Sequence, residues 1–473
     1  MKIAPQLNQK RLTKNIHSAL RTWSKTHGTA EEYLEDLLLV WESRKLFEQR
    51  RQGSALRLAT NEVLLSAIEA LENQDAELAE ILTARFPDDL TLYAVANKLN
   101  ISTDAVSRKQ KAAIDALTGI ILEQEWLRRE EMSQTIQTNL PPPSYRQLFG
   151  AEKAQAELLE QLLKPESRWV IAIVGMGGIG KTALADAVAR EAIKTFYFET
   201  VVWLRVEPQT MSGRSLSPEL TFDNLVADLL QRLRPESKAV TPQQRLGEVR
   251  QILKSSSHLI IVDNLETDTD TAYLLAHLGD LADPGKFLIT SRTRAPNEAV
   301  AYHFAVDELS LEDVVKLLKH HAENAGIMAM SEATTADLKA IYEVTGGNPL
   351  ALKLVVNLLD VQSLPQVLDG LVQNQTGPVE ALYRRIYQQT WQTLSEEARQ
   401  LLKCLPLVGS TGADSGYLKV VSGLSEGQLW PAIQELRSRS LLEVWGTLHD
   451  RRYGIHQLTE TFLKIDVIHW PSE

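Results

Sequence analysis

The chain has 473 residues, 44% of them hydrophobic and 23% charged, with a net charge of -11. That length implies roughly three domains, each with enough apolar material to build a core. The acidic balance excludes affinity for nucleic acid through overall charge, so any such contact must come from a local basic patch.

The single cysteine, Cys404, excludes an intramolecular disulfide and fits a reducing compartment. In Leu401-Leu402-Lys403-Cys404-Leu405 it reads as buried core and not as a nucleophile. The first residues, Met1 to Arg11, hold no apolar h-region, and no run approaches the about 20 apolar residues of a membrane span. The expectation is a cytoplasmic protein with no membrane partner.

Residues 1 to 135 read as nearly all helical. Leu34, Leu37, Leu38 and Trp41 fall at helical spacing, and Leu78, Ile81 and Leu82 resume it. From about 88 to 120 a helix-turn-helix is expected: Thr91 caps one short helix, Ser102 or Thr103 the next, and Asn100 takes the tight turn where a residue tolerating the left-handed region is needed. This stretch resembles the DNA-binding region of sigma factors and related bacterial regulators. Ser102, Arg108, Lys109 and Lys111 are its candidate DNA contacts, set against a plain packing or self-association role for the same helices. Residues 136 to 144 turn polar and end in Pro141-Pro142-Pro143, an extended linker.

A nucleotide-binding unit is expected over 145 to 308. The apolar run Trp169 to Val174 enters Gly175-Met176-Gly177-Gly178-Ile179-Gly180-Lys181-Thr182, and Ala183 to Ala189 leaves it as a helix. This is the pattern G-x-x-x-x-G-K-[ST] between strand and helix. Its glycines let backbone N–H groups curl around phosphate oxygens, at the positive end of the following helix. Lys181 is placed to reach the β- and γ-phosphates and Thr182 to hold Mg²⁺. Glu199 to Val206 reads as a second strand, and His258-Leu259-Ile260-Ile261-Val262-Asp263 as a buried strand delivering a second Mg²⁺ ligand, Asp263. Asn264 follows where a second carboxylate could orient water, which leaves Glu266 as the closest catalytic substitute beside Lys181 and Asp263. Phe287 to Thr290 is a further strand, after which Arg292, in preference to Arg294, can read a γ-phosphate with its planar fork. Ala301 to Val306 is the last strand.

Over 309 to 382 the period is helical. Ser310 with Asp313 starts a helix, and Thr345 to Leu352 breaks and restarts one with Pro349 at an early position. Residues 383 to 473 have the order helix, helix, helix, hairpin, with a Ser425–Gln428 capping box: a winged-helix layout.

The combination resembles the NB-ARC branch of the STAND signalling ATPases over about residues 145 to 463. Leu148-Phe149-Gly150-Ala151-Glu152 resembles the family's h-h-G-R-E entry near the adenine, with Ala151 where arginine is usual. Thr290-Ser291-Arg292 resembles the T-T-R sensor, and Gly347-Asn348-Pro349-Leu350-Ala351-Leu352 the G-x-P-L-A-L element whose proline packs on the adenine. Ile455-His456-Gln457-Leu458 resembles the M-H-D element, with Gln457 in place of the acid. The resemblance implies a nucleotide site of Phe149, Gly150, Gly175, Met176, Gly177, Gly178, Ile179, Gly180, Lys181, Thr182, Ala183, Arg292, Pro349 and His456.

The expected fold class is multidomain α/β plus α: a P-loop NTPase parallel sheet, a helical domain and a winged helix, preceded by an all-α helix-turn-helix domain. The expected function is an ADP/ATP switch, closed with ADP and opening or self-assembling as a homo-oligomer with ATP. Hydrolysis in it would be slow, with Mg²⁺ as cofactor. Family members usually carry a repeat sensor after the winged helix, and no fixed-period repeat is visible, which leaves open a separate sensor protein as partner or a truncated architecture. The alternatives are a DNA-binding transcriptional regulator and a turnover AAA-type ATPase.

Overall fold

The computed structural model describes residues 8–23, 33–49, 55–206, 210–211, 214–215, 217–265, 268–292, 301–372, 379–408, 412–439, 441–446 and 450–468. Chain contacts divide it into two units: Met1–Asn139 with Glu191–Thr200, and Leu140–Arg190 with Val201–Glu473.

The first unit is helical. It comprises α1 (Gln9–Arg21), α2 (Leu38–Gln49), α3 (Ala55–Glu72), α4 (Ala76–Arg85), α5 (Leu92–Leu99) and α6 (Thr103–Gln137). Leu34, Leu37 and Leu38 are buried, but α2 begins only at Leu38, so the periodic positions before it lie in turns. A carboxylate 86 and 87 residues away in sequence starts that helix: Glu125 Oε1 and Oε2 accept from the N–H groups of Leu38 and Leu39 at 2.8 and 3.0 Å. Glu125 is fully buried, and Arg129 Nε donates to it at 2.6 Å, so the buried charge has both donors and a counter-ion. Within the same unit Phe196 packs on Leu38, beside Trp41 and Met132.

Around Ile81, Ala84, Val95, Ala96 and Val106, helices α4, α5 and the start of α6 close a small core of their own. Thr91 caps α5 by accepting from Ala94 N–H, Asn100 ends it in the left-handed region at φ 56° and ψ 42°, and Ser102 caps α6. The second helix of the expected helix-turn-helix runs unbroken from Thr103 to Gln137, past the expected bound near 120, so the first residues of the expected linker are helical. Its buried positions, from Val106 through Leu117 to Ile136, explain the length: apolar partners extend along its whole course.

The second unit opens with α7 (Glu152–Leu163) and β1 (Val170–Val174), followed by α8 (Lys181–Lys194), which runs on into the first unit's stretch, and β2 (Thr200–Arg205). A short pair, β3 (Thr210–Met211) and β4 (Arg214–Ser215), precedes α9 (Pro218–Leu233), α10 (Pro242–Ser255), β5 (His258–Leu265), α11 (Asp268–Leu278), β6 (Lys286–Ser291) and β7 (Ala301–Ala305). The main sheet has the order β2-β5-β6-β1-β7, and β5–β6, β6–β1 and β1–β7 pair in parallel. All five residues of β1 and all six of β6 are buried, as continuous apolar runs require in a sheet covered on both faces. A lysine, Lys286, opens β6. Its ammonium donates to the carbonyls of Gln161 and Lys164 at 3.2 and 2.9 Å, satisfying the C-terminal end of α7 and its cap.

Helices α12 (Leu311–Ala325), α13 (Thr335–Thr345), α14 (Pro349–Leu358), α15 (Leu364–Val372) and α16 (Val379–Thr393) follow, then α17 (Glu396–Cys404), α18 (Ser415–Ser422) and α19 (Glu426–Ser438). The hairpin β8 (Glu443–Gly446) and β9 (Arg451–Gly454) leads into α20 (Gln457–Phe462). One apolar cluster joins these elements, from Val314 to Leu463. Helix α16 crosses the expected division at 382 to 383, and among the described residues four helices, α16 to α19, not three, precede the hairpin. Ser310 caps α12, and the Ser425–Gln428 capping box is present. Cys404 is half-buried and not core: its thiol donates to the carbonyls of Gln400 and Val421, both at 3.4 Å.

Candidate nucleotide site

At the C-terminal edge of β1 the Gly175 N–H donates to Ser291 O at 3.3 Å, the chain turns, and α8 starts at Lys181. Gly178 and Gly180 hold φ of 74° and 104°, where a side chain would be strained. The Lys181 ammonium bends back over the loop and donates to the carbonyls of Gly175 and Met176 at 2.8 and 2.9 Å. Gly175 and Met176, which the sequence pattern put in the nucleotide site, are not among the residues lining the cavity. They support the lysine from behind, whereas Gly177 to Ala183 face the cavity.

Strand β5 delivers Asp263, only 2% exposed, to the same edge. Its Oδ1 accepts from Thr182 Oγ1 at 2.8 Å and from Thr290 Oγ1 at 2.6 Å, tying α8, β5 and β6 together. Asn264 sits at φ 78° in a bulge. Its N–H donates to Thr290 Oγ1 at 2.8 Å and its Nδ2 to Val206 O at 3.1 Å, so its side chain turns toward the end of β2. Glu266 lies outside the described residues, as does Arg294. A hydroxyl and a carboxylate 2.8 Å apart are hard oxygen donors of the kind Mg²⁺ takes. Among the described residues no cluster of three or more His, Cys, Asp or Glu could hold a metal by itself, so water and phosphate oxygens would complete the shell.

A cavity of about 1620 Å³ opens above this edge. It gathers Phe149 and Gly150 from the entry, Lys181 and Thr182 from α8, Asp263, Arg292, Pro349 and His456, residues that sequence spreads over more than 300 positions. Phe149 lies against His320, with ring centroids 5.4 Å apart, and Pro349 is the first residue of α14, whose cap is Asn348. The cavity also takes in Arg205, Lys353 and Glu443, which no motif marked. Arg205 ends β2 one residue before Val206, whose N–H donates to Asp263 O at 2.9 Å. Thus β5 is flanked by strands that both bring an arginine to its end, Arg205 from β2 and Arg292 after β6. An arginine closing a strand beside the Asp263 strand was the available signal.

Hairpin pairing sets Glu443 opposite Gly454, so Glu443 and His456 share the base of the hairpin. Burial pushes the Glu443 carboxyl up against the charges of Arg205 and Lys353, and pulls the Lys353 ammonium down against the charge of Glu443. His456 is pulled down to about 4, first by burial and then by the positive charges of Arg205, Lys181 and Arg292. It is neutral at pH 7, with one ring N–H to donate toward an anion. Because its folded pKa lies below the ordinary 6.5, the unfolded chain binds this proton more readily. Stability from this group is complete above pH 6.5 and is lost as pH falls toward 4, by up to about 3 kcal/mol. Denaturant melts of wild type and His456→Asn between pH 8 and 4 should diverge below pH 6.5; parallel curves would refute the assignment.

The candidate DNA contacts are placed differently. Ser102 uses its hydroxyl to cap α6, accepting from Ala105 N–H at 3.2 Å. Lys109 is paired with Glu77, and Lys98 with Glu80 at 3.0 Å, so acids of α4 flank this face. Arg108 and Lys111 are exposed.

Among curated proteins, probable disease resistance RPP8-like protein 2 of Arabidopsis thaliana is 27% identical over 242 residues, 49% of this chain and 25% of its own length. RPP8-like protein 4 of the same plant is 24% identical over 295 residues, 60% of this chain and 30% of its own. The chain thus spans about a quarter to a third of these relatives. Among solved structures, a Signal Transduction ATPase with Numerous Domains (STAND) protein with a tetratricopeptide repeat sensor from Pyrococcus horikoshii has 19% identity and a TM-score of 0.42, covering 68% of this chain and 43% of that one. The Aeropyrum pernix ORC1 protein in complex with DNA has 14% identity and a TM-score of 0.31, covering 70% and 96%. No helix among the described residues is long and apolar enough to cross a membrane. The NB-ARC domain matches residues 151–326, the stretch that carries the glycine loop, Asp263 and Arg292.

Proposed function

We propose that this protein is a nucleotide-controlled signalling switch, closed with ADP and opened for self-assembly by ATP. One observation carries the reading: a single cavity is walled by the P-loop, by the Asp263 and Arg292 strand ends, by α14 and by the base of the C-terminal hairpin. A ligand in that cavity touches regions far apart in sequence, so its phosphate count can bias their arrangement. Moving such an equilibrium from 1:99 to 99:1 takes about 5.5 kcal/mol. Two or three charge-assisted contacts of about 1.5–3 kcal/mol each, from Lys181, Arg292 and a cation on Thr182 and Asp263, reach that value.

Within this reading Phe149, Gly150 and Pro349 hold the base, Gly177 to Ala183 cradle the phosphates, and neutral His456 donates to the β-phosphate of ADP. Mg²⁺, when bound, neutralises phosphate charge. Hydrolysis is slow, because Asn264 donates to Val206 O and offers no carboxylate to orient water. Helices α17 to α19 with their hairpin act as the winged helix of the switch, and α4 to α6 as its output module. The pairing of Lys109 with Glu77 favours a protein-contacting output over a DNA-contacting one.

The test is to denature the purified full-length protein, identify the nucleotide released, and then measure mass after exchange with ADP or with a non-hydrolysable ATP analogue. Bound ADP, with larger assemblies in the analogue only, is the expected outcome. Release of no nucleotide and failure to bind either would refute the switch. Salt-dependent retardation of duplex DNA by the full chain would restore the transcriptional reading.

A further inference from the structure

The carbonyl side of the glycine loop is held by the helical region. Asn348 Nδ2 donates to Gly177 O at 3.1 Å, and the Leu350 N–H donates to Gly178 O at 3.3 Å. The Tyr383 hydroxyl lies 2.5 Å from Asn348 Oδ1 and 3.2 Å from Gly177 O. That hydroxyl has one proton, and the shorter contact receives it best. Asn348 Oδ1 also accepts from Leu350 N–H at 3.0 Å as the cap of α14. Both donors require Oδ1 to be the acceptor, which turns Nδ2 toward Gly177. Asn348 and Tyr383 are 2% and 3% exposed, so water does not compete for these bonds.

A trans peptide points its C=O and the next N–H in opposite directions. A Gly177 carbonyl drawn outward thus aims the Gly178 N–H into the phosphate cradle. Gly178 itself leaves no room for a substitute: a Cβ there would lie 2.5 Å from Tyr383 Oη and 2.8 Å from Leu350 Cβ. Its lack of a side chain serves the approach of α14 and α16 as well as that of an anion.

We propose that Asn348 and Tyr383 are positioning residues that preset the Gly177–Gly178 peptide for a nucleoside diphosphate, so that phosphate binding and docking of α14 and α16 strengthen each other. The proposal rests on the nucleotide reading above. By linkage the effect is reciprocal: what the docked helices add to phosphate affinity, bound phosphate adds to docking. Both nucleotides use this peptide through the phosphates they share, so the clamp acts on ADP and ATP alike. Discrimination between them is left to the contacts that Lys181, Arg292 and the cation make with the additional phosphate.

The experiment uses the full chain with two variants. Tyr383→Phe removes only the hydroxyl, and Asn348→Ser keeps a helix cap while losing reach to Gly177. Calorimetry should show ADP and ATP affinities falling together, each on the order of ten-fold, in both variants. Hydrogen exchange of residues 379–393 should slow when ADP binds wild type and respond much less in Tyr383→Phe, a coupling that a merely structural side chain would not alter. Wild-type affinities in both variants, or loss confined to ATP, would overturn the clamp. Wild-type protein that binds neither nucleotide would instead overturn the nucleotide reading on which it rests.

Discussion

Lys181→Ala is expected to weaken both ADP and ATP binding by at least about 100-fold while leaving the fold intact. The ammonium is the one cation inside the loop itself, and in the structure it also joins the carbonyls of Gly175 and Met176. Its removal costs charge-assisted contacts to two phosphates, each of about 1.5–3 kcal/mol. The two carbonyls it leaves belong to a partly exposed loop, where water can replace it, so the loss of stability should stay near 1 kcal/mol or below. Isothermal titration with both nucleotides, alongside a thermal melt, separates the two effects. Unchanged affinity would sink the phosphate assignment, and a collapsed melt would mean that the lysine is structural first.

Asp263→Asn should remove the Mg²⁺ dependence of ATP affinity and lower turnover by at least about 100-fold, with ADP binding in a chelator unchanged. The substitution keeps the shape and an oxygen able to accept from Thr182 and Thr290, the contacts seen at 2.8 and 2.6 Å. Only the charge goes. Because the carboxylate is 2% exposed, no solvent shell compensates, and the metal loses the anion that sits 2.8 Å from the Thr182 hydroxyl. ATP titrations with and without Mg²⁺ decide it; an Asp263→Asn variant that keeps the wild-type metal response would place the cation elsewhere.

Much of the site was legible because its signals are local. Gly175 to Thr182 is contiguous, and a strand that must be buried on both faces shows itself as an apolar run, as at Val170 to Val174 and His258 to Asp263. Caps were legible for the same reason: the bonds of Thr91, Ser102, Ser310 and Ser425 reach residues three positions on. Helix ends were less so. Nothing near residue 120 halts α6, and its extent is decided by partners that pack along it as far as Ile136. Gly175 and Met176 match the phosphate pattern, yet only the path of the Lys181 side chain shows that they support it from behind.

By itself, then, the sequence determined the glycine loop, the five strands of the main sheet, the acid Asp263 near the end of β5 and the NB-ARC match of residues 151–326. Each is carried by residues within a few positions of one another, where backbone geometry alone relates spacing to contact. Tertiary structure decided the rest. Placing β5 between β2 and β6 brings Arg205 into the cavity, the hairpin register sets Glu443 beside His456, and the packing of α14 and α16 carries Asn348 and Tyr383, 171 and 206 residues from Gly177, to its carbonyl. Those contacts depend on which elements become neighbours, and that is chosen by the burial of whole faces and not by any short run of residues.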